Sequence, residues 1–233
     1  MPSPVTTHSG SAAVHRSRAG AGPGGRIRRV LAELVAVSCP GALNVYDERA
    51  SLAAGDAPGR ATVRLHALAD YLTAHWAAPI ALVGEAPGKN GARLSGVPFT
   101  SPRTLTGSGP AEPSATIVQT TLAELGVERQ VLLWNASMLF PPGNRTPTVG
   151  ELRACRELLG LVTAGRTVYA VGRHAQVATG APYVRHPANG GAGGFRAGMG
   201  VVFRSPAGTD LPRALRALEP GPAGAGPGPG AVA

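Results

Sequence analysis

The stretch 80–88, IALVGEAPG, runs from an apolar segment straight into a turn of glycine and proline. The apolar part is too short for a helix and shows no polar alternation, so it fits a strand buried on both faces, as in a parallel sheet. VLLWN at 131–135 and TVYAVG at 167–172 repeat the pattern. The β-branched pieces 183–186 and 200–204 are the further expected strand segments. Between these runs lie longer segments of helical period, at 27–38, 60–76, 113–125, 148–164, 173–179 and 210–218. The one from Thr148 opens with threonine followed three residues later by Glu151, a capping-box spacing. Short apolar strands alternating with helices indicate an α/β fold with a parallel sheet covered by helices. In such a sheet ligands bind beyond the carboxyl ends of the strands.

Outward from this core the composition changes. The chain has 233 residues, long enough for one large domain, and its 33 glycines and 22 prolines are concentrated at the two ends. Residues 1–25 and 220–233 are expected to be disordered tails around a domain at 26–219, because they hold too little apolar surface to offset the entropy of ordering. No apolar run reaches the roughly 18 residues of a membrane span, and the first thirty residues lack the apolar stretch of a secretion signal. A cytoplasmic, nucleoid-associated location is expected. The net charge of +9 points toward a polyanion. Arg16, Arg18, Arg26, Arg28 and Arg29 carry five of those charges ahead of any acid, leaving 17 basic against 13 acidic residues elsewhere. Charge alone is thus a weak argument for nucleic acid. Two cysteines, Cys39 and Cys155, cannot form a disulfide framework or fill a tetrahedral metal site.

Three unusual motifs sit at strand exits. Gly84-Glu85-Ala86-Pro87-Gly88 matches neither GxGxxG nor a P-loop, which disfavours a dinucleotide or nucleoside triphosphate site. A stiff glycine–proline turn brings backbone close to a flat or anionic group, though an ordinary strand–helix turn can look the same. Asn135 ends its strand with an amide that offers a donor and an acceptor side by side. That pair complements the N3–H and O4 edge of uracil and mismatches cytosine; a turn-capping asparagine is the alternative. PPGNR at 141–145 carries Arg145 to the same rim, suited to a phosphate or to a helix acid. His186-Pro187 leads into the glycine-rich loop 188–194, which favours a rim position for a histidine that could equally be structural. No second histidine or cysteine stands at metal-ligand spacing.

Taken together, GEAPG, the GVPF segment at 96–99, Asn135 followed by PPGNR, and His186-Pro187 occur in an order that resembles the uracil-DNA glycosylase superfamily. The likeness is nearest to its bacterial family-four-like branch and spans about Leu82 to Phe195. The resemblance implies a three-layer α/β/α sandwich with a central four-stranded, mainly parallel sheet. It also implies roles. His186, as a neutral N–H donor, would stabilise the negative charge on uracil O2 as the glycosidic bond breaks, Asn135 would read the base, and Phe99 would stack on it. Gly84, Ala86, Pro87 and Gly88 would wrap the ring with Glu85 in a polar or electrostatic role, and Arg145, Asn189, Gly190 and Arg196 would meet the DNA.

Departures from the family pattern are equally informative. Ala86 stands where the best-known branch has a water-activating Asp, and Lys89, Asn90, Gly91 and Ala92 offer none of the acid that family-four enzymes carry after the turn. Glu85 is the only carboxylate left in the motif. Family-four enzymes hold an iron–sulfur cluster on four cysteines; here Cys155 alone resembles one of them and Leu139 replaces another, so no cofactor or metal is expected. The bulky apolar wedge that usually follows the HP motif is replaced by Asn189-Gly190-Gly191, so weaker flipping from duplex and a preference for single strands or mismatches are expected. The expectation is a monomeric, monofunctional glycosylase that hydrolyses the N-glycosidic bond of uracil, or another deaminated base, in DNA. The alternatives are a homologue that binds DNA or nucleotide without cleaving it, and an ordinary nucleotide-binding module.

Overall fold

The structure is a computed structural model that describes residues 22–219. Its elements in chain order are α1 (Pro23–Ala36), α2 (Glu48–Ala53), α3 (Arg60–His75), β1 (Ile80–Gly84), α4 (Ala92–Ser95), α5 (Pro102–Thr106), α6 (Pro113–Leu125), β2 (Val131–Asn135), α7 (Val149–Ala154), α8 (Arg156–Thr163), β3 (Thr167–Val171), α9 (Arg173–Thr179), β4 (Tyr183–Val184), α10 (Ala192–Arg204) and α11 (Leu211–Ala217). The strands pair in the order β2-β1-β3-β4, and every pairing is parallel. This is the expected four-stranded α/β/α sandwich.

The alternating direction of side chains along a strand feeds two separate cores. Ala81 and Val83 of β1 with Leu132 and Trp134 of β2 join α1, α3 and α8 through Leu34, Leu68, Leu72 and Leu158. Leu82, Leu133, Tyr169 and Val171 face the other way, onto Val118 and Leu122 of α6, Phe195 and Met199 of α10 and Leu215 of α11. Burial on both faces explains why the strands read as unbroken apolar runs.

Several boundaries differ from the sequence reading. The segment 200–204, VVFR with its leading glycine, is the last part of α10 and not a strand. Its β-branched residues favour a strand, but Phe195, Gly198 and Met199 share one helical face that is buried against β4 and α11. Tertiary packing overrides local preference there. The fourth strand is only Tyr183–Val184, which leaves His186 in the loop beyond it. The helix expected over 148–164 breaks at Cys155, whose φ/ψ of −91°/2° are not helical. Its thiol accepts the Met138 backbone N–H at 3.4 Å. The chain enters α1 at Pro23, a residue preset for a first helical turn, so the last three residues of the expected N-terminal tail are helical. Residues 1–21 and 220–233 of the expected tails lie outside the described residues.

Candidate active site

Strand order places the site. β1 lies between β2 and β3, so the chain leaves β1 toward one side and later crosses to the other, opening a crevice at the carboxyl ends. Gly84 and Asn135 are paired residues at the ends of β1 and β2. The ladder continues beyond them, with Ala136 N–H donating to Gly84 O at 2.8 Å and Ser137 N–H to Glu85 O at 2.9 Å. Backbone bonds therefore tie the GEAPG turn to the Asn135 segment. The far side of the turn is held by Asn144, whose Oδ1 accepts the Lys89 N–H at 2.8 Å.

A Cβ on Gly84 would lie 2.4 Å from Phe99 Cζ and 2.7 Å from Asn135 Oδ1. Both groups thus pack on a bare Cα, the close approach that only glycine permits. Phe99 adopts a left-handed φ of 54°, with its carbonyl held by Gln119 Nε2 at 3.0 Å. Asn135 is 3% exposed, and among the described residues its side-chain amide has no hydrogen-bond partner. The amide is not among the sealed, unpartnered polar groups of the described residues and lines the cavity, where a ligand can pair with it.

Glu85, Ala86, Gly88, Phe99, Asn135 and His186 line one cavity of about 30 Å³ that opens to solvent. Pro87 is buried within the same turn. His186 Nδ1 accepts the Ala188 N–H at 3.1 Å, so the neutral ring carries its proton on Nε2. Burial pushes the imidazole pKa down; Glu85 opposes this and Arg185 adds to it. The neutral N–H donor is the form held at pH 7. Glu85 faces partly away from this chemistry, its Oε1 lying 3.3 Å from both the Nδ1 and the backbone N of His174.

Of the cavity lining, sequence reasoning missed Ala92, Ser114, Ala115 and, the one ionisable group of these four, Glu112. It occupies the N-cap position of α6, yet its side chain caps no helix N–H. Instead the carboxylate lies on two glycines: its oxygens are 2.0 Å from a Cβ placed on Gly88 and 1.3 Å from one placed on Gly91. Burial raises its pKa to about 7. Twenty-four residues separate it from Gly88, so no local spacing could reveal it; the only signal was an acid immediately before a helix-starting proline.

A family model for the uracil DNA glycosylase superfamily matches residues 72–213. The chain belongs to this superfamily. Its members hydrolyse N-glycosidic bonds and act on DNA. Among solved structures, wild-type SMUG2 of Pedobacter heparinus is similar in fold, with a TM-score of 0.51 at 14% identity, covering 77% of this chain and 99% of that one. No match was found among curated proteins.

Other residues expected at the superfamily's site fall into two groups. Arg145 is given the helix acid rather than an open position: its guanidinium holds Glu151 at 2.6 and 3.0 Å, away from the residues lining the cavity. Asn189, Gly190 and Arg196 are exposed on the loop after His186 and on α10, free to face a polymer. The four-cysteine cluster of the family-four branch does not fit this chain, whose Cys155 is buried beside Ser137 and Met138 and whose only other cysteine is Cys39. Among the described residues no helix is long and apolar enough to cross a membrane.

Proposed function

We propose that the chain is a monofunctional DNA glycosylase that hydrolyses the N-glycosidic bond of uracil, taken into the cavity as an extruded base, and leaves an abasic site. The observation that carries this reading is the meeting of Asn135 and His186 at one cavity, the first an amide with no protein partner and the second a neutral Nε2–H donor. Breaking the bond places oxocarbenium character on the sugar and negative charge on uracil O2. A fixed N–H in a water-poor cleft stabilises that charge more than it stabilises the neutral base. Phe99 supplies a stacking face, which contributes about 1–3 kcal/mol toward the cost of unstacking. The Asn135 amide discriminates through its paired donor and acceptor, since a base with the reversed pair leaves it unsatisfied.

The test is a labelled uracil-containing oligonucleotide incubated with the protein and then treated with alkali. Strand breaks at the uracil are expected from the wild type, with a loss of about 100-fold or more in Asn135→Ala and His186→Ala. The absence of an acid just after the GEAPG turn, at Lys89, Asn90, Gly91 and Ala92, favours a second reading, a homologue that binds without cleaving. Retained binding without breaks would select that reading over the first.

A further inference from the structure

Hydrolysis needs a group that takes a proton from the attacking water, and the GEAPG turn supplies none. Ala86 has no carboxylate, and Glu85 is engaged with His174. Among the described residues, the only other acid lining the cavity is Glu112. We propose that Glu112, delivered from the start of α6, is the general base that activates water in this chain, replacing the carboxylate its first motif lacks. The inference rests on the glycosylase reading above and adds the missing half of the reaction.

Three features carry it. The glycines at 88 and 91 form a floor on which the carboxylate sits, so close that any Cβ at either position would occupy its place. The residue stands at a helix N-cap, where an acid ordinarily bonds to the first backbone N–H groups, yet it makes no such bond. It forms no ion pair among the described residues. A carboxylate that stabilises neither its helix nor a neighbouring cation, and that opens to a cavity also lined by Asn135 and His186, is placed for a ligand. Desolvation with no compensating charge brings its pKa to about 7, where a base both accepts and returns a proton readily.

The step balances without a further reagent. The C1′–N1 bond breaks, and its electron pair leaves on the uracil ring, where His186 Nε2–H meets the charge at O2. Water oxygen bonds to C1′ while Glu112 takes one of its protons. That proton then passes to the departing uracil or to solvent, which regenerates the carboxylate.

Single-turnover cleavage by wild type, Glu112→Gln and Glu112→Asp, measured from pH 5 to 9 with oligonucleotide binding in parallel, tests the inference. The wild-type rate is expected to fall as pH drops below about 7, as the base becomes protonated. Glu112→Gln should bind within a few-fold of wild type, lose about 100- to 10,000-fold in rate, and show no acid limb tied to this group. Formate should restore part of the rate to Glu112→Ala and none to Asn135→Ala. Should Glu112→Gln fail to fold, Glu112→Asp decides: a displaced acid limb supports the role, and an unmoved limb at wild-type rate overturns it. Wild-type rates in Glu112→Gln, with Asn135→Ala and His186→Ala inactive, would sink the base and leave the glycosylase standing. A wild type that releases no base overturns both, and is recognised by failing before any substitution is made.

Discussion

Gly84 decides the geometry of the cavity wall through an atom it does not have. Phe99 and Asn135 converge on its Cα from different segments, at distances where a methyl group would overlap both. Neither can withdraw easily, because Phe99 is pinned at its carbonyl by Gln119 and Asn135 is locked by strand pairing. Gly84→Ala should therefore displace the Phe99 ring and the Asn135 amide together. A misplacement of about 1 Å at a reacting centre costs on the order of 100-fold. We expect kcat/KM on a uracil oligonucleotide to fall by about that factor while circular dichroism stays native; wild-type kinetics would mean that the ring and amide do not define the pocket. Of the site residues, Gly84, Phe99, Asn135 and His186 were legible because each lies in a short motif whose spacing has a local cause. Glu112 and Asn144 were not. Each reaches the turn from a distant segment, and only the folded chain brings Gly88 under the first and Lys89 beside the second.

At the scale of elements, the PPGNR loop is fastened to α7 by a buried acid. Glu151 is fully buried. It closes the capping box with Thr148 and accepts both guanidinium nitrogens of Arg145. Burial works against its charge, but the bonds from Arg145 and Thr148 outweigh that and hold its carboxyl below the ordinary value. Arg145→Ala leaves this buried carboxylate without its half-exposed cation, and we expect a lower stability at pH 7. Denaturant midpoints would measure it. The sign with pH follows from the lowered value: the stabilisation is present above the unfolded pKa, is lost as pH falls through the folded one, and so disappears in strong acid. An unchanged midpoint would mean that the loop does not depend on this pair.

The loop after His186 carries a second expectation at this scale. Asn189 and Gly190 are its exposed tip, at φ of 52° and 76°, and the first bulky apolar residue, Phe195, is completely buried in the core. With no wedge to fill the gap left by an extruded base, unstacking from a duplex is poorly compensated. Single-stranded uracil should be cleaved faster than U·A duplex; equal rates would count against this. The same region shows where sequence reading failed. Val201 and Val202 look like a strand by composition, and only the buried face shared by Phe195 and Met199 makes them the end of a helix. Similarly, the break at Cys155 coincides with a contact to Met138 in another segment, which helical periodicity cannot register.

For the whole molecule, the question is where the positive charge lies relative to the crevice. Arg26 lies near Pro79 and Gly165, which precede β1 and β3, so it sits at the amino edge of the sheet. The cavity lined by Asn135 and His186 lies at the carboxyl edge. Arg29 pairs with Glu157 at 3.0 Å. The arginines of α1 are thus poorly placed to hold the nucleotides flanking an extruded base, and the basic N-terminal segment divides into a helical part built into the fold and residues 1–21, which contribute Arg16 and Arg18. Removing 1–21 leaves 20 basic against 13 acidic residues, so long-range attraction to DNA survives. The two deleted charges can reduce the slope of log affinity against log salt by at most about 1.4 on a single strand, at about 0.7 per phosphate contact. We therefore expect the truncated protein to bind more weakly at low salt, converge with the full chain as salt rises, and cleave saturating substrate at the same rate. Loss of cleavage at saturation would place the N-terminal segment within the chemistry.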